Sequence, residues 1–241
     1  VKYFIYQSFK TELLNMGIAT NLEQVRKQIE DVNSQYQREL GAVRLLAVSK
    51  TKPIADIITA YESGQRLFGE NYVQEAIDKC AALSHLEHIE WHFIGPIQSN
   101  KSRLVAENLD WVHTLDREKI AIRLSEQRPE SLAPLNVCIQ VNISGEETKS
   151  GVHLEELQAL VDLVISLPNL QLRGLMAIPA PQSSEDEQIR VYQPLLQAYK
   201  SLQAQLPNID TLSIGMSGDM EAAIASGSTM VRIGTAIFGS R

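Results

Sequence analysis

The chain has 241 residues, 44% of them hydrophobic and 21% charged, the balance of an ordinary globular protein at a length that one α/β barrel reaches. A formal net charge of −7 argues against nucleic acid as a main partner, because phosphate backbones select basic surfaces. No apolar run approaches a membrane span. The two cysteines, Cys80 and Cys138, form no CxxC and no Cys/His cluster, so no metal is expected and a reducing, cytoplasmic setting is the simplest reading.

The first fifteen residues, VKYFIYQSFKTELLN, lack the small-residue cleavage site of a secretory signal. They read as an N-terminal extension, 1–15, to a single domain over 16–241. From Ile18 to Leu40 the residues Leu22, Val25, Ile29, Val32 and Tyr36 recur at helical spacing. Thr20 or Asn21 is the expected cap and Gly41 the expected stop.

Short Val- and Ile-rich runs then alternate with longer helical patterns. The runs are RLLAVS (44–49), RLFGE (66–70), EWHFIG (90–95), WVHTLD (111–116), NVCIQVNIS (136–144), QLRGLMAI (171–178), TLSIGMS (211–217) and TMVRIG (229–234). Helices are predicted between them over 54–63, 72–83, 99–108, 117–127, 154–167, 184–206 and 219–226. Pro53 enters the first of these, at a position where its missing N–H costs nothing. Strands alternating with helices imply parallel βαβ units, and eight such units predict a closed (β/α)8 barrel. An open doubly wound sheet is the alternative. The polar stretch PAPQSSEDEQ (179–188) reads as a loop running into a helix.

In a barrel the loops after the strands gather at one mouth, where active sites sit. The strand ends read Ser49-Lys50, Gly69-Glu70-Asn71, Gly95-Pro96, Asp116, 142–145, 176–179, Gly215-Met216-Ser217-Gly218 and Arg232-Ile233-Gly234-Thr235. The last two have the character of a phosphate cradle. Glycines admit an anion to the backbone, the Ser217 and Thr235 hydroxyls add donors, and each loop leads into a helix start. Taken singly, Ser217 reads as a helix cap and Gly234 as a turn glycine; together, at the end of an eightfold pattern, they point to phosphate.

Lys50 ends the first strand, which neighbours the eighth in a closed barrel. In isolation it reads as a solvated strand-end lysine. Beside a phosphate cradle it is either an anion partner or a Schiff-base lysine, with Arg232 as the nearby cation. Lys52 reads as solvated. Asn71 reads as a ligand to a ring substituent or as the cap of the 72–83 helix. His92 reads as a satisfied core histidine, Met176 and Met216 as walls, Tyr72 as a packing residue, and Lys101 as a residue near the mouth.

The segments LLAVSKTKP, FGENYVQEA, WHFIGPIQSNKSRLV, QVNISGEETKSGV, GLMAIPAP and LSIGMSGDMEAAIASGSTMVRIGTAIFGSR together resemble the YggS/PROSC family of pyridoxal 5′-phosphate homeostasis proteins, over residues 17–241. The resemblance implies a barrel like the N-terminal domain of alanine racemase (fold-type III). It implies pyridoxal 5′-phosphate as cofactor, held as a Schiff base on Lys50, with Arg232 facing the pyridine nitrogen. It places Ser217, Gly234 and Thr235 on the phosphate, Met216 close by, and Asn71 near the O3′ side of the ring. One departure is Gly218, where an acidic residue is expected.

The same resemblance implies a cofactor carrier and buffer in vitamin B6 and amino-acid homeostasis, without catalysis of its own. Apo-enzymes that use pyridoxal phosphate are the expected partners, and a monomer is expected. The sequence stops at Arg241, directly after the eighth unit, so a second catalytic base from an additional domain is not expected. The rival readings are an amino-acid racemase and a Schiff-base aldolase acting on a sugar phosphate.

Overall fold

The computed structural model describes residues 2–144 and 150–240, with side chains from Gly17 onward. Eight parallel strands close on one another in chain order: β1 (Arg44–Val48), β2 (Leu67–Glu70), β3 (Glu90–Phe93), β4 (Trp111–Leu115), β5 (Leu135–Gln140), β6 (Leu170–Met176), β7 (Thr211–Ser213) and β8 (Met230–Ile233). The closing pair sets Leu46 of β1 opposite Arg232 of β8, and Ala47 opposite Ile233. This is the predicted barrel, not the open sheet. Closure leaves no sheet edge to protect.

The helices that follow the strands are α2 (Ile54–Glu62), α3 (Val73–Ala82), α4 (Ser102–Asn108), α5 (Glu118–Gln127), α6 (Leu157–Ser166), α7 (Glu185–Gln205), α8 (Met220–Ala225) and α9 (Thr235–Phe238). They cover the outward face of the strands. Alternate strand residues such as Ala47, Phe68, Phe93, Val112, Ile139 and Val231 join one continuous apolar cluster with the helices. Each of the larger side chains among these contributes about 1.5–3 kcal/mol by leaving water. The other strand residues face the barrel axis, and they are different in kind. Trp111, Cys138 and Met176 form a small cluster of their own, and His92, His113, Ser213 and Arg232 are buried beside it. The strands are apolar outside and largely polar within.

α7 begins where the sequence predicts. Ser184 caps it by accepting from the Glu187 N–H at 3.3 Å, and Glu185, Asp186 and Glu187 fill the first turn, where acidic groups suit the helix dipole. α1 (Lys2–Gln35) departs from expectation. It runs straight through Thr20 and Asn21, so neither caps it, and it stops six residues before Gly41. Asn21 instead donates through Nδ2 to the Ile237 carbonyl at 2.9 Å, fastening α1 to α9. Tyr36 lies just past the helix end. Pro53 flanks α2 from outside, as its N-cap, with extended backbone. Strand ends predicted to reach residues 144, 178 and 217 stop at Gln140, Met176 and Ser213, because the chain turns into rim loops there. Gly145 lies outside the described residues. Among the described residues no helix is long and apolar enough to cross a membrane.

Candidate functional site

Lys50, Asn71, Ser217 and Thr235 all follow the C-terminal ends of their strands, β1, β2, β7 and β8. A parallel barrel therefore brings them to one rim. The closure of β1 on β8 does the closest work. Gly234 lies against the end of β1, where an added Cβ would sit 3.1 Å from the Val48 carbonyl oxygen. Glycine is what lets the β8 loop lie this close to the strand that carries Lys50. Lys50 is partly exposed. Continuing the alternation of Leu46 and Val48 puts it on the axis side, while Ser49 is turned outward and fully buried.

Arg232 is 4% exposed and strongly tethered. Its Nη1 donates to both the carbonyl and the hydroxyl of Ser213, and its Nη2 donates to the Ala177 carbonyl at 3.0 Å. A guanidinium has five N–H donors. These three bonds leave Nε–H and one Nη2–H for a further acceptor. Burial lowers the pKa of this guanidinium, with Tyr192 and Asp219 pulling the other way. It stays charged regardless, given its starting point.

Below Arg232 a polar chain runs along the barrel interior. Ser213 Oγ meets His113 Nδ1 at 2.8 Å, and His113 Nε2 meets His92 Nδ1 at 2.9 Å. His92 is thus bonded at Nδ1, while its Nε2 has no hydrogen-bond partner and lies 3.7 Å from Glu90 Oε2. Burial, then His92 and the arginines, hold His113 well below the usual imidazole range. Burial also lowers His92, against the pull of Glu90.

The loop after β7 is preformed. Gly215 adopts φ +95, and a Cβ there would lie 2.6 Å from that of Ala223, so only glycine fits. Asp219 ties the loop at both oxygens. Oδ1 accepts from the Met216 N–H at 2.7 Å and Oδ2 from the Tyr192 hydroxyl at 2.5 Å. Asp219, not Ser217, stands at the N-cap position of α8, and its side chain makes no cap bond there. This leaves the exposed Ser217 free of that task and takes the Met216 N–H out of reach of a ligand. Met216 is 40% exposed and forms a wall with Pro179, Pro181 and Gly218. Thr235 is exposed at the start of α9.

Asn71 is seated through its backbone. Gly95 passes so close that a Cβ would fall 2.1 Å from the Asn71 carbonyl oxygen. Tyr72, not Asn71, is the N-cap of α3, and no side chain bonds there. Tyr72 is 51% exposed, so it stands out of the core rather than packing in it. Lys52 corrects a further expectation. It donates through Nζ to the carbonyls of Phe238, Gly239 and Ser240 at 3.0, 3.0 and 3.2 Å, tying the β1 loop to the end of α9. Among the described residues, no group of His, Cys, Asp and Glu could hold a metal.

Sequence reasoning missed a buried ion cluster behind Lys50. Lys79 donates to Glu70 Oε1 at 2.9 Å, to Glu75 Oε1 at 2.6 Å and to the Ser49 carbonyl at 2.8 Å. Ser49 Oγ donates to Glu70 Oε1 at 2.5 Å. Burial pushes the Glu70 carboxyl up, against the opposing pull of Ser49 and Lys79. The i, i+4 spacing of Glu75 and Lys79 was the available signal.

Residues 20–241 match the family described as alanine racemase, N-terminal domain. The pyridoxal phosphate homeostasis protein of Escherichia coli (strain K12) is 58% identical over 93% of this chain and 97% of its own length. That of Haemophilus influenzae is 56% identical over 94% and 97%. Among solved structures, PipY of Synechococcus elongatus PCC7942 without PLP superposes with a TM-score of 0.82 at 37% identity, over 92% of this chain and all of PipY. The same protein with PLP bound gives 0.80. Alanine racemase from Bacillus anthracis shares the fold, with a TM-score of 0.71 at 16% identity, and this chain covers 56% of it. The chain belongs to the alanine racemase N-terminal domain family and, within it, to the pyridoxal phosphate homeostasis proteins.

Proposed function

We propose that this chain binds pyridoxal 5′-phosphate at the C-terminal rim of the barrel and serves as a carrier and buffer of that vitamer, without a catalytic activity of its own. The observation that carries the reading is the closure of β1 on β8. It sets Lys50 on the strand against which Gly234 is pressed, with Arg232 buried one strand away. Relatives bearing the homeostasis name at more than half identity, and a PipY structure with PLP bound, support it.

The residues fit the ligand. Ser217, Thr235 and the Gly234 backbone offer donors for its phosphate, and Arg232 keeps two donors for the ring nitrogen. Asn71 supplies an amide on the β2 side, and Met216 an apolar wall. Pyridoxal phosphate would supply an aldehyde, and Lys50 would supply the amine that condenses with it, with loss of water.

Arg232 also sets the limit of the chemistry. An arginine gives up no proton near neutral pH, so Arg232 would offer the ring nitrogen a hydrogen bond but no proton, and the ring would be a weak electron sink. That favours holding the vitamer over transforming amino acids. A monomer in the cytoplasm, delivering its ligand to apo-enzymes, completes the proposal.

The test is the absorbance spectrum of purified wild type against Lys50→Ala, with borohydride trapping and peptide mapping. A yellow species in wild type, lost in a folded Lys50→Ala, with a phosphopyridoxyl group on Lys50, is expected. Sustained isotope exchange at Cα of alanine at enzyme-like rates would remove the carrier reading in favour of a racemase.

A further inference from the structure

We infer that Glu70, Glu75 and Lys79 are positioning residues for Lys50: a buried ion cluster that grips the chain on both sides of the lysine and fixes where its amine points. This rests on the assignment of Lys50 as the covalent attachment point.

The grip is bilateral. Before Lys50, Ser49 is held twice, its carbonyl by Lys79 Nζ at 2.8 Å and its hydroxyl by Glu70 Oε1 at 2.5 Å. After Lys50, the Thr51 N–H donates to Glu75 Oε1 at 2.6 Å. Lys79 joins the two halves, because its other donors reach Glu70 and Glu75. A lysine has three N–H donors, and all three are committed to this one loop and its holders.

Thr51 adopts φ +62. A β-branched residue is seldom found in this left-handed region, and such backbone persists only where its surroundings impose it. The turn is closed by the Lys52 N–H on the Ser49 carbonyl at 3.0 Å, and Glu75 holds the Thr51 N–H within it. The turn after Lys50 is therefore held in a conformation its own sequence disfavours, directly beside the proposed attachment point.

Stability alone does not account for the cluster. Glu70 is fully buried and Lys79 is 5% exposed. Well-packed apolar residues between β2 and α3 would hold the fold as well or better, because desolvating two charges costs about what their attraction returns. Glu70 even keeps Oε2 buried without a partner. What apolar residues would not supply is three directed bonds to the residues flanking Lys50.

The test compares equilibrium binding of pyridoxal 5′-phosphate and pyridoxine 5′-phosphate. The two share ring and phosphate, but only the first has an aldehyde for Lys50. Wild type is measured beside Glu75→Ala and the double variant Glu70→Gln/Lys79→Met. The Glu75 side chain is 26% exposed, so its removal spares the core. The double variant removes both buried charges together, since Lys79→Met alone would strand Glu70. Both variants are expected to lose about tenfold or more in affinity for pyridoxal phosphate and less than about twofold for pyridoxine phosphate, because misplacing a reacting group is costly while ring and phosphate contacts persist. Equal losses on both ligands, or no loss on either, overturn the inference. If wild type binds the two ligands equally and borohydride leaves Lys50 unmarked, the proposed function fails and the clamp fails with it.

Discussion

Ser213 Oγ lies 2.8 Å from His113 Nδ1 and also accepts from Arg232 Nη1 at 2.9 Å. Arg232 can only donate, so one lone pair of the Ser213 oxygen is committed to the guanidinium, and the hydroxyl proton or the second lone pair serves His113. His113 Nε2 in turn meets His92 Nδ1 at 2.9 Å, with one proton between the two nitrogens. His92 Nε2 faces Glu90 at 3.7 Å, too far for a hydrogen bond. One hydroxyl thus links two buried histidines to Arg232.

Ser213→Ala should break this chain at its upper link. His113 Nδ1 would lose its partner and Arg232 one of its acceptors, all in a buried site. The expected loss is about 1–3 kcal/mol of stability, read by urea unfolding. Pyridoxal phosphate should also bind more weakly, since Arg232 would keep only its two carbonyl tethers. A variant as stable as wild type would show that the hydroxyl does not hold the guanidinium.

The buried histidines give the fold a pH dependence. Burial is the first cause that holds both below the ordinary imidazole value. The folded protein therefore refuses protons that the unfolded chain takes up below about pH 6.5. More protons on the unfolded state means that stability rises with pH. Stability should be full above about pH 6.5 and fall below it, by up to about 1.4 kcal/mol per pH unit for each histidine. Glu70 works in the opposite sense. Its raised carboxyl takes up a proton in the folded state first, which offsets part of the loss at lower pH. Unfolding free energies measured from about pH 7.5 to 5 should decline with falling pH; a flat profile would mean that the pair is protonated in the folded state.

The two thiols should be inert. Burial pushes both Cys80 and Cys138 up to about 12, and the thiolate is the reactive form. An aromatic disulfide reagent near neutral pH should leave native protein unlabelled and react at both cysteines after denaturation. Fast labelling of Cys80, which is only partly buried, would show that α3 opens locally.

The barrel was legible because each strand is a short apolar run and each rim loop follows its strand. Lys50, Asn71, Ser217 and Arg232 could be placed at one mouth by topology alone. What held them there could not. Glu70 lies on the outward face of β2 and meets Lys79 across the gap to α3; nothing in the spacing says that both turn toward Ser49. Ser213 and His113 are 100 residues apart and meet only when the barrel closes. Lys52 looked solvated because its acceptors, the carbonyls after Ile237, lie at the far end of the chain. The caps misread at Asn21 and Asn71 have different causes: α1 runs on through Asn21 from Lys2, and α3 starts one residue later than expected, with Tyr72 at its N-cap.

Two glycines at the rim should respond in opposite ways. At Gly95 an added methyl would lie 2.1 Å from the carbonyl oxygen of Asn71, and 2.8 and 2.9 Å from its C and Cα. These are backbone atoms, so no rotamer change relieves the clash and the loop after β2 must move. Gly95→Ala should cost at least the upper end of the about 1–3 kcal/mol typical of overpacking. It should also weaken pyridoxal phosphate binding by displacing Asn71. At Gly218 an added methyl meets nothing within 4 Å, and the backbone is not in the left-handed region. Gly218→Ala should therefore change stability by less than about 0.5 kcal/mol. Gly218→Asp, the residue expected from the family, should be tolerated as well, with the loop still tied by Asp219 to Met216 and Tyr192. Thermal melts and pyridoxal phosphate titrations of the three variants side by side provide the check. A Gly95→Ala protein that melts with wild type would mean that Asn71 is not seated by the close approach of Gly95.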